Sequence, residues 1–397
     1  MIQSLKRYFK FFLVTLVLKR EKLILLNHLI GYVFSKSYIK KSYKLADKRQ
    51  SLNLCVDWLL SSQKNMTDGG MGTYHIVGGW SSSYPETSGY IIPTLYNYLS
   101  FQPERKNEIE NSILRCADWL VSIQKPSGGW QSAYIEHQRP EVVFNTGQVL
   151  RGLLIAYQMN PKTEYKESMC KACNWLVDTQ ETDGSWIKTA YMNEPRVYDS
   201  YVSHPLLMVY ELTGIETYKK AAIKNLDWIM TQQMENGWFK NADNTQKHNH
   251  RPILHTISYT IDGLINCGTM LQNNEYVEAG KKAADRLLHL FNLNQVLGGR
   301  YDANWLPSEY MICTGCAQIS IVWSLLYKRT QEKKYLEARE RMNSQLVFVQ
   351  QSCLTIGGSG NGALPGSFPI WGKYEPFAFP NWATKYFADA LMSELKL

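Results

Sequence analysis

The amino-acid sequence predicts an all-α protein. Residues 50–397 read as a closed (α/α)6 toroid of six helical hairpins, and residues 1–49 as a basic N-terminal helical arm. Three observations carry that reading. A signature ending in glutamine recurs four times: C-V-D-W-L-L-S-S-Q to Gln63, C-A-D-W-L-V-S-I-Q to Gln124, A-C-N-W-L-V-D-T-Q to Gln180 and N-L-D-W-I-M-T-Q-Q to Gln233. Each copy runs into a glycine turn and then, through a polar loop, into a second and more apolar helix-like run. Two weaker copies, around Arg286 and ending at Gln351, bring the units to six. A unit repeating at this period cannot bury its apolar face alone and must stack on its neighbours.

The arm has its own character. Residues 1–50 hold twelve Lys/Arg against Glu21 and Asp47, whereas the rest of the chain has 31 basic and 33 acidic residues. The formal charge of +8 therefore belongs to the arm. A nucleic-acid partner is not expected, because the folded body lacks the basic surplus that one requires. An anionic surface, such as the inner face of a membrane, suits the arm. Its first apolar run, F-F-L-V-T-L-V-L, is too short to span a bilayer. No small-residue cleavage site follows it, and K-R-E-K interrupts it, so a signal peptide is not expected either. Residues 1–49 should form amphipathic helices lying on a membrane surface or on the body. The expected location is cytoplasmic, with peripheral attachment through the arm.

In the body, glycine turns are read at Gly78-Gly79-Trp80, Gly128-Gly129-Trp130, Gly184-Ser185-Trp186, Gly237-Trp238, Gly298-Gly299-Arg300 and Gly357-Gly358. Glycine ends a helix by taking positive φ. The inner helices are expected over 86–101, 145–159, 198–212, 254–270, 310–327 and 380–395, where small and apolar residues occupy most faces. The chain holds 25 Tyr and 12 Trp. Such rings join an apolar body to a polar tip and suit a cleft that stacks on sugars. Eight cysteines are read as reduced thiols. Cys170-x-x-Cys173 and Cys313-x-x-Cys316 have ligand-like spacing but fall inside helical runs. No metal and no cofactor are expected.

The Gln…Gly-Trp recurrence resembles the repeats of the terpenoid-cyclase and prenyltransferase toroids. The same six-hairpin toroid serves carbohydrate-active enzymes, among them unsaturated-glucuronyl hydrolases, polysaccharide lyases and sugar epimerases. The segments Y-P-E-T-S-G-Y-I-I-P-T-L, F-N-T-G-Q-V-L-R-G-L, L-H-T-I-S-Y-T-I-D-G-L and P-I-W-G-K-Y-E-P-F-A-F-P-N-W-A-T-K-Y-F-A-D-A-L are similar to those of bacterial toroid proteins from surface-polysaccharide gene clusters. The resemblance covers nearly all of residues 50–397. It implies a role in glycan metabolism and brings no catalytic assignment with it.

In a toroid the starts of the inner helices converge on one mouth. Glu86 lies in a first helical turn, where the macrodipole favours a carboxylate, between Tyr84 and Tyr90. His255 opens an inner helix with Tyr259 one turn on, a pairing able to supply base and acid. His204 repeats the arrangement with Tyr201. Glu86, His204, His255 and Tyr259 are thus the expected catalytic residues. Substrate contacts are expected from Trp80, Tyr84, Asn145, Asp199, Tyr201, Arg300, Glu309, Tyr374, Glu375 and Trp382. Arg300 could grip a substrate carboxylate through its guanidinium fork. Glu375, Asp199 or Glu309 could join Glu86 as the carboxylate pair of glycoside hydrolysis. Ordinary helix caps and core histidines account for the same residue types.

Absences order the alternatives. No D-x-D-D and no D-D-x-x-D occurs, so alkene protonation or magnesium diphosphate chemistry ranks below glycan chemistry. No phosphate loop, dinucleotide fingerprint or G-x-S-x-G is present. The leading expectation is a carbohydrate-active enzyme whose substrate is a bacterial surface polysaccharide or oligosaccharide. It would act on a uronic-acid-containing glycan as lyase, epimerase or hydrolase. A non-catalytic glycan-binding or scaffold protein is the alternative, and an isoprenoid-acting toroid is third.

Overall fold

A computed structural model of the chain describes residues 29, 30, 32, 42–308, 310–354 and 358–396. Among these, twelve long helices carry the architecture. The outer row is α1 (Leu45–Lys64), α3 (Lys106–Ser122), α5 (Thr163–Asp178), α7 (Glu216–Thr231), α9 (Asn274–Asn294) and α11 (Lys333–Gln351). The inner row is α2 (Pro85–Tyr98), α4 (Val143–Met159), α6 (Ser200–Thr213), α8 (Leu254–Met270), α10 (Cys313–Thr330) and α12 (Asn381–Leu395). Consecutive inner helices pack on one another, and α12 packs back on α2, so the ring closes. Burial follows position in the ring. In α4 every residue from Val143 to Leu154 is buried, whereas α5 buries one face. Short turns link each inner helix to the next outer one, and the long loops from outer to inner helices all gather on the opposite face.

The recurrent glutamine is a staple between units. Gln180 Nε2 donates to the carbonyl of Gly184 in its own turn (3.0 Å) and to that of Ala221 in the next outer helix (2.9 Å). Gln63, Gln124 and Gln233 do the same to Gly69 and Ser112, Gly128 and Ser168, and Gly237 and Ala279. The glycine is required on two counts. Gly184 has φ +94°, and a Cβ there would lie 2.2 Å from the Lys224 carbonyl oxygen. A second staple uses the residue before the signature tryptophan, or before Arg286 in the fifth unit. Asp118, Asn174, Asp227 and Asp285 accept the phenol protons of Tyr165, Tyr218, Tyr276 and Tyr335 from the following outer helix.

Three sequence assignments move. The first turn is at Gly69, not Gly78-Gly79, because Gln63 reaches Gly69. Gly79-Trp80 instead forms strand β2, paired with β1 (Tyr74–His75). The sixth staple is Gln350 rather than Gln351, bonded to Gly362 and Ser51. Gly357 lies outside the described residues. In the fifth unit Phe291 stands where the signature has glutamine, and Gln345 of α11 reaches back to the carbonyl of Gln295, the C-cap of that outer helix (2.7 Å).

Closure joins α12 to α1, helices far apart in the chain. Lys48 and Glu394 form a buried ion pair there, and Asn343 Nδ2 donates to the same carboxylate (2.7 Å). Burying two charges costs nearly what their attraction returns, so the pair contributes register more than stability. On the loop face β1 also pairs with β5 (Ala378–Phe379), tying the first unit to the last. A separate ladder joins β3 (Met311–Ile312) to β4 (Ser367–Phe368). Helix α1 starts at Leu45, ahead of the expected boundary at 50. Most of the arm, residues 1–28, 31 and 33–41, lies outside the described residues. Tyr32 packs edge-on to Phe368 and Trp371. No described helix is long and apolar enough to cross a membrane.

Candidate active site

The long loops enclose a cavity of about 300 Å³ at the mouth of the ring. Tyr84 and Glu86 come from the start of α2, and Phe144 and Asn145 from α4. His255, Thr256 and Tyr259 come from α8, Trp382 from α12, and Tyr134, Tyr198, Tyr374 and Glu375 from loops. Pro85 presets the first turn of α2, which fixes Glu86 at a helix N-terminus facing the cavity. Tyr84 donates its phenol proton to Glu86 Oε2 (2.9 Å). Burial raises the Glu86 pKa to about 7, against the lowering effect of the Tyr84 bond. The carboxyl therefore exchanges its proton near neutrality.

His255 is set by its neighbours. Gly315 of α10 lets that helix approach the His255 backbone, where a Cβ would sit 2.8 Å from its nitrogen. His255 Nδ1 is 2.8 Å from Gln318 Oε1. Burial lowers its pKa to about 4, so the ring is neutral at pH 7. A neutral ring donating through Nδ1 to the Gln318 carbonyl leaves Nε2 with a free lone pair. The Tyr259 ring lies 4.6 Å from the imidazole, tilted by 54°, and its hydroxyl is buried without a hydrogen bond.

Glu375 is the second carboxylate on the cavity wall. Its backbone has φ +47°, in the left-handed region, and burial raises its pKa. A non-glycine residue in that region stores strain, a feature that clusters at functional sites. Beside it the Trp382 indole donates to the Tyr374 hydroxyl (2.9 Å), and Asn145 Nδ2 donates to the Gln131 carbonyl (3.0 Å).

Of the four residues expected to be catalytic, Glu86, His255 and Tyr259 share this cavity and His204 does not. His204 Nδ1 lies 3.0 Å from Arg151 Nη1. A guanidinium can only donate, so Nδ1 accepts and the ring stays neutral. Burial, then Arg151, holds its pKa well below the usual value. Tyr201 is also displaced, and lines a second chamber of about 270 Å³ beneath the first. Tyr90 and Tyr259 face the cavity, Tyr201 and Tyr386 the chamber, and their contacting rings form a septum between the two.

The remaining expected contacts divide. Tyr84, Asn145, Tyr374, Glu375 and Trp382 line the cavity. Trp80 does not; it packs on Trp58 and Tyr74. Asp199 is buried behind the wall, where desolvation raises its pKa to about 8. Arg300 is committed elsewhere, to Asp243 Oδ2 (2.6 Å) and the Arg251 carbonyl (2.9 Å). Glu309 lies outside the described residues. Sequence reasoning missed Tyr134, Phe144, Tyr191 and Thr256 on the wall and Gln318 behind His255. The loop tyrosines could have been found by their position before each inner helix. Nothing in the sequence marks Gln318. Among the described residues no group of His, Cys, Asp and Glu is arranged to hold a metal ion.

No family model matches the chain. A terpene cyclase/mutase from a Nectria species is 26% identical over 231 residues, half of this chain. The match spans only 30% of that relative's length. A solved unsaturated glucuronyl hydrolase specific for heparin superposes with a TM-score of 0.68 at 13% identity, covering 88% of this chain and 97% of that one. An alpha-amylase from Clostridium perfringens gives a TM-score of 0.63 at 10% identity, covering 87% of this chain and 97% of that one. These likenesses establish the six-hairpin toroid, and a fold shared at such identity leaves the chemistry to the site.

Proposed function

We propose that the protein is a carbohydrate-active enzyme that cleaves a glycosidic bond in the mouth cavity. The carrying observation is Glu86, a carboxyl with a pKa raised to about 7 on an aromatic wall that also bears Glu375. Glycoside cleavage needs a proton donor for the leaving oxygen and a second carboxylate facing the sugar carbon. Glu86 is the donor in this reading, and Glu375 is the partner, either attacking the carbon or activating water. His255 Nε2 accepts a hydrogen bond from a sugar hydroxyl, and Tyr84, Trp382 and Tyr134 supply ring faces. Tyr90 and Tyr259 close the floor, so the cavity admits the end of a glycan chain. The structural relatives named for glycan hydrolysis support a toroid as a scaffold for this work. Uronate lyase or epimerase chemistry is less well supported, because Arg300 is held by Asp243.

The test is incubation of the full-length chain with a panel of surface oligosaccharides, read by mass for released single sugars. No release from any of them, with the folded state confirmed, rejects glycoside cleavage. A second reading, carbocation chemistry on an isoprenoid, draws on the aromatic wall and the Nectria relative. Turnover of a polyprenyl substrate, blocked by Glu86→Gln, would select it instead. Attachment of the arm, residues 1–49, to an anionic inner membrane face is proposed on its charge alone. Sedimentation with anionic vesicles at low salt tests it.

A further inference from the structure

The charge of the cavity says more than its reaction class. Resting on the glycan reading above, we propose that the sugar bound at the mouth carries no negative charge and that uronates are rejected. Among the described residues no lysine or arginine lines the cavity. The guanidiniums of Arg300 and Arg196 are each held by other groups, with Arg196 Nε left buried and unpartnered. Arg300 is bonded to Asp243 and Arg251, and Arg196 to the carbonyls of Asp243 and Tyr191. Glu86 and Glu375 lie on the wall, and no described cation pairs with either. The imidazole of His255 is held neutral by its surroundings.

An entering carboxylate would thus meet two carboxyl groups and no lysine or arginine, in a space walled by aromatic rings and the imidazoles of His137 and His255. Like charges repel strongly where water is scarce. Sites built for a carboxylate present an arginine fork or its equivalent. A neutral sugar meets none of this repulsion. Its hydroxyls can donate to Glu86, Glu375 and His255 Nε2, and its ring can lie against Tyr84 or Trp382. The uronic acid expected from the sequence is therefore replaced here by a neutral residue.

The experiment is calorimetric titration of the full chain at pH 8 with pairs of methyl glycosides that differ only by oxidation at C6. Glucoside with glucuronide, galactoside with galacturonide, and mannoside with mannuronide form the set. At least one neutral member should bind, with its uronate at least ~10-fold weaker. Glu375→Gln should narrow that gap, and an unchanged gap in the folded variant overturns charge as the cause. A uronate binding as tightly as its neutral partner, or more tightly, overturns this inference and leaves the glycan reading standing. If no member of any pair binds, the glycan reading falls and takes this one with it.

Discussion

The mouth cavity and the chamber beneath it meet at the same tyrosines, yet they treat charge in opposite ways. Around the lower chamber the charged groups meet ionic, polar or aromatic partners. Lys385 pairs with Asp389 (2.8 Å) and lies over the Tyr386 ring. Asp262 accepts from Asn266 (2.8 Å), and Arg151 donates to His204 and to the Tyr201 carbonyl. In the mouth, Glu86 has only the Tyr84 phenol, and Tyr259 has no hydrogen-bond partner. Answered charges hold inner helices in register. Unanswered ones cost stability and persist where something else is to be met. The contrast separates scaffold from site within one lumen.

Five measurements test that separation. The largest effect is expected from Glu86→Gln, which should lower turnover ~10²–10⁴-fold, the scale of a lost general acid. Steady-state kinetics on the active glycan check it, and near-normal rates would move the proton donor elsewhere. Wild-type activity should also fall as pH rises through about 7, where Glu86 gives up its proton. Across the septum the pattern reverses. Asp389→Asn strands the buried Lys385 ammonium and should cost about 3 kcal/mol of stability with kcat little changed. Urea unfolding and kinetics on the same sample read both.

Glu86→Gln should next raise stability at alkaline pH. The Glu86 carboxyl holds its proton more tightly in the fold than in the unfolded chain, at about 7 against 4.5. The stabilisation from this neutral acid is complete below about pH 4.5 and is lost as pH rises through about 7. The amide should therefore gain about 3 kcal/mol over wild type at pH 8 and almost nothing at pH 4. Equal unfolding midpoints at pH 8 would show the carboxylate to be better solvated than its surroundings suggest. The smallest effect is expected at the rim. Gln180→Ala leaves two carbonyls without their donor and should cost ~1 kcal/mol, with catalysis untouched.

The ring was legible because its outer helices repeat. Gln63, Gln124, Gln180 and Gln233 stand at one position of one signature, and each makes the same two bonds. The first glycine turn was misplaced because two glycine pairs follow Gln63 and only geometry tells which one it reaches. The site was half legible. Glu86 and His255 stand at inner-helix starts, which topology sends to the mouth. His204 lies further along its helix, four residues after Ser200, and that offset carries it out of the cavity and against Arg151. Arg300 looked free because its partner, Asp243, is 57 residues away in the chain. Pairing at that range is set by the fold and leaves no mark on local pattern.

The join between α12 and α1 has a consequence in time. Every other inner helix is followed directly by the outer helix it packs on, and can dock as soon as both are made. Helix α1 is the exception, since its inner partner begins only at Asn381. At ~5–20 residues per second, synthesis of the roughly 300 residues between them takes some tens of seconds. Through that interval α1, whose Lys48 will pair with Glu394 of α12, lacks its inner partner. The last hairpin of the ring is thus a contact of very long sequence separation, and its formation should be the slow step of folding.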